Sequence, residues 1–257
     1  MTDQDAAGPA RRLAIAVICD TLTGVGESRL SPPLSREEEV ALRACFISDI
    51  GAAVACLGGD GVDGIAAYAP AFTADEMRKL LPPGFTLLPQ RGQSRTDRYA
   101  AIIDDLLEAG YAGVCLIDAG APTLPSSVFR DAIAALRQPG NRIILAPALN
   151  GGYPLIGVQA PCPELFEIMA SRTPRHLAHS LAGAARLSLP VEQLSPWYRV
   201  FDGLSLTWLM RELLGDGVSP LGTGFPGAMA RRTRAYLTAL GERGDGAPLD
   251  LGLYELA

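Results

Sequence analysis

Four stretches of this chain carry residue types suited to holding a phosphorylated ligand. Asn150-Gly151-Gly152-Tyr153-Pro154-Leu155-Ile156-Gly157 follows the apolar run Arg142-Ile143-Ile144-Leu145-Ala146-Pro147. Paired glycines let a backbone turn sharply or approach a ligand closely, so the stretch reads as a hairpin turn or as part of a site. Asp20 to Leu30 includes Gly24, Gly26, Ser28 and Arg29, a composition suited to an anion, although the Gly-Lys-Ser/Thr ending of a Walker loop is absent. Gln90-Arg91-Gly92-Gln93-Ser94-Arg95-Thr96-Asp97-Arg98 places three arginines just before a helical pattern, where they can pair with phosphate or form a solvated surface. Asp118-Ala119-Gly120-Ala121-Pro122-Thr123-Leu124-Pro125 follows a continuous apolar run. An aspartate at a strand's carboxyl end can bind Mg²⁺ or a ribose hydroxyl, or can cap the turn that follows.

The elements that must position these loops alternate along the chain. Strand patterns fall at Leu13–Cys19, Gly64–Tyr68, Phe85–Leu88, Gly113–Ile117 and Arg142–Ala146. Helical patterns fall between them. Ser35 with Glu38, and Thr73 with Glu76, have capping-box spacing. Asp97–Ala109 is helical, and Ser126 or Ser127 caps a helix to about Leu136. After the glycine pair, Pro154–Val158 reads as a strand that need not be parallel to the rest. Helices are expected at about Pro163–Ala170, Pro174–Leu187, Leu204–Leu214 and Ala228–Gly241. The pattern predicts an α/β protein, a Rossmann-like three-layer α/β/α sandwich on a mostly parallel sheet. Ligands of such sheets sit outside the carboxyl ends of the strands, where the four stretches lie.

Composition narrows the classes. The 257 residues are 48% hydrophobic and 19% charged, enough for a sizeable core. The net charge of −6 gives no electrostatic footprint for nucleic acid. A phosphate pocket would have to be locally basic, from Arg29, Arg91, Arg95 and Arg98. Five cysteines, an odd number without C-x-x-C spacing, read as buried thiols in a reducing, cytoplasmic compartment. Two histidines, His176 and His179, cannot make a histidine-rich metal centre. The apolar run Leu13–Cys19 is too short to span a bilayer and has no cleavage pattern after it.

Taken in order, these motifs resemble the bacterial nucleotide-diphospho-sugar transferases of the GT-A type. The matching text is Gly24…Ser28-Arg29-Leu30-Ser31-Pro32-Pro33-Leu34, Leu88-Pro89-Gln90-Arg91-Gly92…Arg98, Leu116-Ile117…Pro122-Thr123-Leu124-Pro125, Gly151-Gly152-Tyr153-Pro154-Leu155-Ile156-Gly157, Pro163-Glu164-Leu165-Phe166 and Pro196-Trp197-Tyr198. The chain resembles the glycosyltransferase-like branch associated with radical-SAM and selenoprotein neighbourhoods, and more distantly the phospholactate guanylyltransferases and molybdenum-cofactor nucleotidyltransferases. The resemblance covers roughly Leu13 to Leu209. The chain is thus expected to divide into a flexible arm over 1–12, a transferase domain over 13–214 and, outside the resemblance, a partly helical C-terminal extension over 215–257.

The resemblance implies a nucleotide-activated ligand, UDP-, GDP- or CDP-linked. Its nucleotide and phosphate site falls on Gly24, Ser28, Arg29, Gln90, Arg91, Gly92, Arg98, Thr123, Asn150, Gly151, Gly152 and Tyr153. Mg²⁺ or Mn²⁺ would be the usual cofactor, but this chain departs from the pattern. Glu27 stands where the family has lysine. Gly120 stands at the family's metal-binding aspartate, and the nearby acid, Asp118, is displaced by two. Leu149 and Asn150 replace paired acids, Ser171-Arg172-Thr173 replaces Trp-Ser-Thr, and Arg199 and Phe201 stand for two further aspartates, with Asp202 one step away. No metal-ligand set is therefore assigned. The expected function is a divergent glycosyl- or nucleotidyltransferase, metal-independent, in which Arg29, Arg91, Arg98 and Arg172 neutralise the diphosphate and Asp118 or Asp202 is the catalytic carboxylate. The alternatives are an inactive family member acting as a binding or partner module, and a shifted acidic site made of Asp118, Asn150 and Asp202.

Overall fold

A computed structural model describes residues 12–19, 30–58, 61–69, 73–169, 176–215, 222 and 226–243. The order of elements is β1 (Leu13–Cys19), α1 (Arg36–Ala55), β2 (Val62–Tyr68), α2 (Ala74–Leu80), β3 (Thr86–Pro89), α3 (Arg95–Glu108), β4 (Gly113–Asp118) and α4 (Ser126–Arg137). There follow β5 (Ile143–Ala146), β6 (Leu155–Val158), α5 (Pro163–Met169), α6 (His176–Arg186), β7 (Val191–Gln193), α7 (Gly203–Leu214) and α8 (Arg231–Arg243).

The strands form one seven-stranded sheet in the order β3-β2-β1-β4-β6-β5-β7. β6 runs antiparallel to both neighbours, β4 and β5. The other pairings are parallel. The sheet is therefore mostly parallel with one reversed strand, as Pro154–Val158 left open. Successive side chains of a strand point to opposite faces. Leu13, Ile15 and Val17 of β1 accordingly join one core with α1, α4, α7 and α8. Ala14, Ala16 and Ile18 join a second core with α3 and α5. Both faces of β1 are buried, which is why it reads as an unbroken apolar run and not as an alternation. The result is the three-layer α/β/α arrangement.

Capping chemistry fixes where the helices begin. Ser35, Thr73, Ser94 and Asp202 each close a capping box with the residue three positions on. The starts of α3 and α4 differ from the sequence reading in their capping. α3 opens at Arg95, because Ser94 accepts from Asp97 N–H and Asp97 accepts from Ser94 N–H. α4 has Pro125 at its N-cap with no side-chain cap, so neither Ser126 nor Ser127 is the capping residue. β7, three residues long, was not expected. α8 packs against α1 and α7. Its first turn donates Arg232 and Thr233 N–H to the Asp49 carboxylate of α1, at 3.0 and 2.8 Å. Its Leu237 and Leu240 are buried in the first core. None of the described helices is long and apolar enough to cross a membrane.

Candidate functional site

β1 and β4 are parallel neighbours, but chain order leads from β1 outward to β2 and β3 on one side and to β4 on the other. In open α/β sheets a reversal of this kind is where ligands bind, at the carboxyl ends of the two strands. Asp118 closes β4 and lies in register with Ile18, next to the end of β1. The Gly151-Gly152 turn comes to the same rim because β6 is antiparallel. Pro154 C=O accepts from Asp118 N–H at 2.9 Å, and the turn closes through Ala148 N–H to Gly152 C=O at 2.9 Å.

A third segment crosses this rim. Trp197 N–H donates to Pro147 C=O, Leu149 N–H to Trp197 C=O, and Val200 N–H to Gly120 C=O, at 3.1, 2.7 and 2.7 Å. Residues 197–200 are thus laid between the loop after β4 and the loop after β5. Asn150 clamps Arg199 from its side chain: Nδ2 donates to Arg199 C=O at 2.6 Å and Oδ1 accepts from Arg199 N–H at 3.0 Å.

The Arg199 side chain turns inward to the rim. Its Nε donates to Asp118 Oδ2. Asp118 Oδ1 accepts from Gly120 N–H at 2.7 Å. The two side chains are 15% and 14% exposed, so the pair sits largely out of water but within a ligand's reach. Arg199 Cζ lies 5.7 Å from the Phe201 ring centroid. A Cβ on Gly152 would fall 2.7 Å from Arg199 Nη1, so only a glycine lets the guanidinium lie there. Gly152 also has φ +78°, a left-handed backbone that suits glycine. Burial alone would raise the Asp118 pKa. The Arg199 charge, the Gly120 hydrogen bond and the nearby Arg95 outweigh it and hold the carboxyl below its ordinary value. Arg199 stays charged: burial disfavours its cation, but Asp118 more than restores it.

The other expected site residues divide. Gln90 is buried at the ends of β2 and β3; its Nε2 donates to Ala67 C=O at 2.8 Å and its N–H to Tyr68 C=O at 2.8 Å. Gly92, with φ +123°, lies against Asp97 and Arg98 at the start of α3. Arg98 is half-buried. Arg91 is taken by Asp105 of α3 through two bonds, Nε at 3.1 Å and Nη2 at 2.6 Å, and is exposed. Of the arginine loop, it is Arg95 whose charge acts on both members of the Asp118–Arg199 pair. Tyr153 is buried in the second core, where burial raises its pKa and the neighbouring Ser180 opposes the rise. Thr123 is fully buried; its hydroxyl accepts from Trp197 Nε1 at 3.1 Å and donates to Glu212 Oε2 at 3.1 Å. Tyr198 OH also donates to Glu212. Asp202 caps α7, its Oδ1 accepting from Ser205 N–H at 2.9 Å. Gly24, Ser28, Arg29 and Arg172 lie outside the described residues.

Arg199 is the residue that sequence reasoning missed. It was counted as a lost acid, and its partner stands 81 positions away, beyond any local signal.

The resemblance implies a divalent cation at this rim, and the donor set can be tested against one. Mg²⁺ and Mn²⁺ take several oxygen ligands, carboxylates among them. Both oxygens of Asp118 are engaged, one by a guanidinium. Among the described residues no group of three or more His, Cys, Asp and Glu comes together. The side chains that are described do not fit such an ion.

Residues 52–172 match a family described as "Uncharacterized protein conserved in bacteria (DUF2064)". Among solved structures, the chain is similar to a candidate nucleotide-diphospho-sugar transferase from Desulfovibrio desulfuricans G20, with a TM-score of 0.69 at 21% identity, over 88% of this chain and 94% of that one. It is also similar to CMP:2-keto-3-deoxy-manno-octonic acid synthetase complexed with CTP, with a TM-score of 0.50 at 11% identity, over 80% of this chain and 100% of that one. No curated protein matches the chain. At these identities the likeness establishes the nucleotide-diphospho-sugar transferase type of fold.

Proposed function

We propose that this protein is a glycosyltransferase- or nucleotidyltransferase-like protein that binds a nucleotide-activated small molecule, UDP-, GDP- or CDP-linked, at the carboxyl rim of its sheet. The observation that carries the reading is convergence. Loops separated by up to 81 residues bring Asp118, Asn150, Gly152 and Arg199 to one point, with Arg95 close enough to bias both charges. Desolvated, mutually perturbed charges gather at functional sites, and this pair lies where sheets of this topology bind their ligands. Gln90 and Gly92 close the neighbouring ends of β2 and β3, beside the place for a nucleoside. The fold of the solved relatives supports the same class, and a cytoplasmic location suits such a substrate.

The test is a titration calorimetry and thermal-shift panel with UDP, GDP, CDP and their sugars, each with and without Mg²⁺ or Mn²⁺. Saturable binding of one base series is expected; no heat and no shift with any of them would end the reading.

A second reading follows from the carboxylates. Asp118 is tied to Arg199 and Asp202 caps α7, so neither is poised as a base. A member of this fold that binds the nucleotide without turning it over, as a partner module, fits that commitment. Incubating the bound nucleotide sugar with the protein and scoring released nucleotide separates the two: turnover supports the transferase, and binding with no release supports the module.

A further inference from the structure

The proposed nucleotide site carries one feature that its occupant must meet. A guanidinium stands where the resemblance would place a metal ion, and the donor set around it does not suit a metal. Its position is fixed from four sides. Asn150 clamps its backbone, Asp118 takes Nε, the Gly152 backbone packs against Nη1 and Phe201 lies beside Cζ. The bond to Asp118 uses Nε alone. Among the described residues neither terminal nitrogen has a hydrogen-bond acceptor. Those two nitrogens form the planar fork that matches a phosphate edge.

We propose that the Arg199 guanidinium, fixed by Asp118 and Gly152, is the cation that receives the diphosphate of the nucleotide-activated ligand, in place of a bound divalent metal. Asp118 is then a positioning residue and not a metal ligand: it orients the guanidinium and offsets its charge while the site is empty. The arrangement rests on the nucleotide-binding reading above and adds to it the identity of the phosphate-binding group.

The two assignments of Asp118 predict opposite signs for one substitution. Asp118→Asn keeps the shape and an acceptor for Nε but removes the negative charge beside the phosphate site. Affinity for inorganic pyrophosphate and for UDP, GDP and CDP is measured by calorimetry on the full chain, in EDTA and then in excess Mg²⁺ or Mn²⁺. Wild type binds in EDTA with no gain on adding metal, D118N binds as tightly or tighter, and Arg199→Gln weakens binding by about tenfold to a hundredfold, the size of a charged hydrogen bond. Arg199→Lys retains part of the affinity. D118N is isosteric, so it reads the sign even if R199Q does not fold. Binding that appears only with Mg²⁺ or Mn²⁺ and disappears in D118N would overturn the Arg199 assignment while leaving the nucleotide site intact. Absence of binding for every nucleotide, with and without metal, would remove the site and this inference together.

Discussion

Replacing Gly152 with alanine tests whether the guanidinium is fixed where the structure puts it, and Gly151 supplies the control. Both glycines have left-handed backbones, φ +94° at Gly151 and +78° at Gly152. An L-residue in that region costs about 1–2 kcal/mol, partly offset by about 0.4–1 kcal/mol from the stiffer unfolded chain. At Gly151 nothing lies within 4 Å of an added Cβ, so the backbone term stands alone. At Gly152 the Cβ meets Arg199 Nη1 at 2.7 Å and Cζ at 3.5 Å. The guanidinium must shift, and its charged hydrogen bond to Asp118, worth about 1.5–3 kcal/mol, is strained or lost. G151A is therefore expected to cost about 1 kcal/mol and G152A about 2–4 kcal/mol. With about 2–4 °C per kcal/mol for a chain of this size, calorimetry separates the two variants by several degrees. Urea denaturation gives the same difference as a lower midpoint at unchanged slope. Equal destabilisation of G151A and G152A would show that Arg199 is not held against Gly152, and the site geometry would be wrong.

Three further outcomes follow from the buried groups. Burial raises the Glu212 pKa, despite the Tyr198 and Thr123 hydrogen bonds that oppose it. The folded state therefore binds a proton that the unfolded chain releases, and stability falls as pH rises from the ordinary value of 4.5 through the raised one. Urea denaturation across that window should show the decline in wild type and its absence in Glu212→Gln. Asp118 has the opposite sign. Its depressed pKa contributes stability that is present above 3.8 and is lost as pH falls through the lower folded value, so D118N should flatten the acid limb. Cys56 is exposed, whereas Cys115 is buried and burial pushes its thiol up to about 12. Iodoacetamide at pH 8 followed by mass spectrometry should label Cys56 in the native protein and Cys115 only after denaturation.

Much of the fold was legible because it is written locally. β1 and β4 are buried on both faces and appear as continuous apolar runs, and the boxes at Ser35–Glu38 and Thr73–Glu76 announce α1 and α2. The misses have local causes too. Ser94 was passed over because Arg95-Thr96-Asp97-Arg98 reads as an anion loop, although Asp97 completes its box. α4 begins behind Pro125 without a side-chain cap, so the serines misdirected the assignment. Val191–Gln193 is too short to show a period, and it becomes a strand because Ile143–Leu145 offers a parallel edge. Of the candidate site, the Gly151-Gly152 pair and Asp118 stood out in the sequence, and the topology brings them to one rim. The charge pairing was not legible. Nothing near Arg91 foretells Asp105, nothing near Thr123 foretells Trp197 and Glu212, and nothing near Asp118 foretells Arg199. Trp197 and Arg199 reach their partners only because the segment 197–200 is laid across the sheet's end, and no spacing rule reaches that far.

The most direct test of the account is a crystal structure of the full chain soaked, in EDTA, with the nucleoside diphosphate that binds best in the titration panel. The account predicts phosphate oxygens within hydrogen-bond distance of the Arg199 terminal nitrogens, beside the Gly151-Gly152 turn, and the nucleoside toward Gln90. A diphosphate bound elsewhere on the surface, or one that enters the rim only through a metal ion on Asp118 with Arg199 swung away, would contradict it.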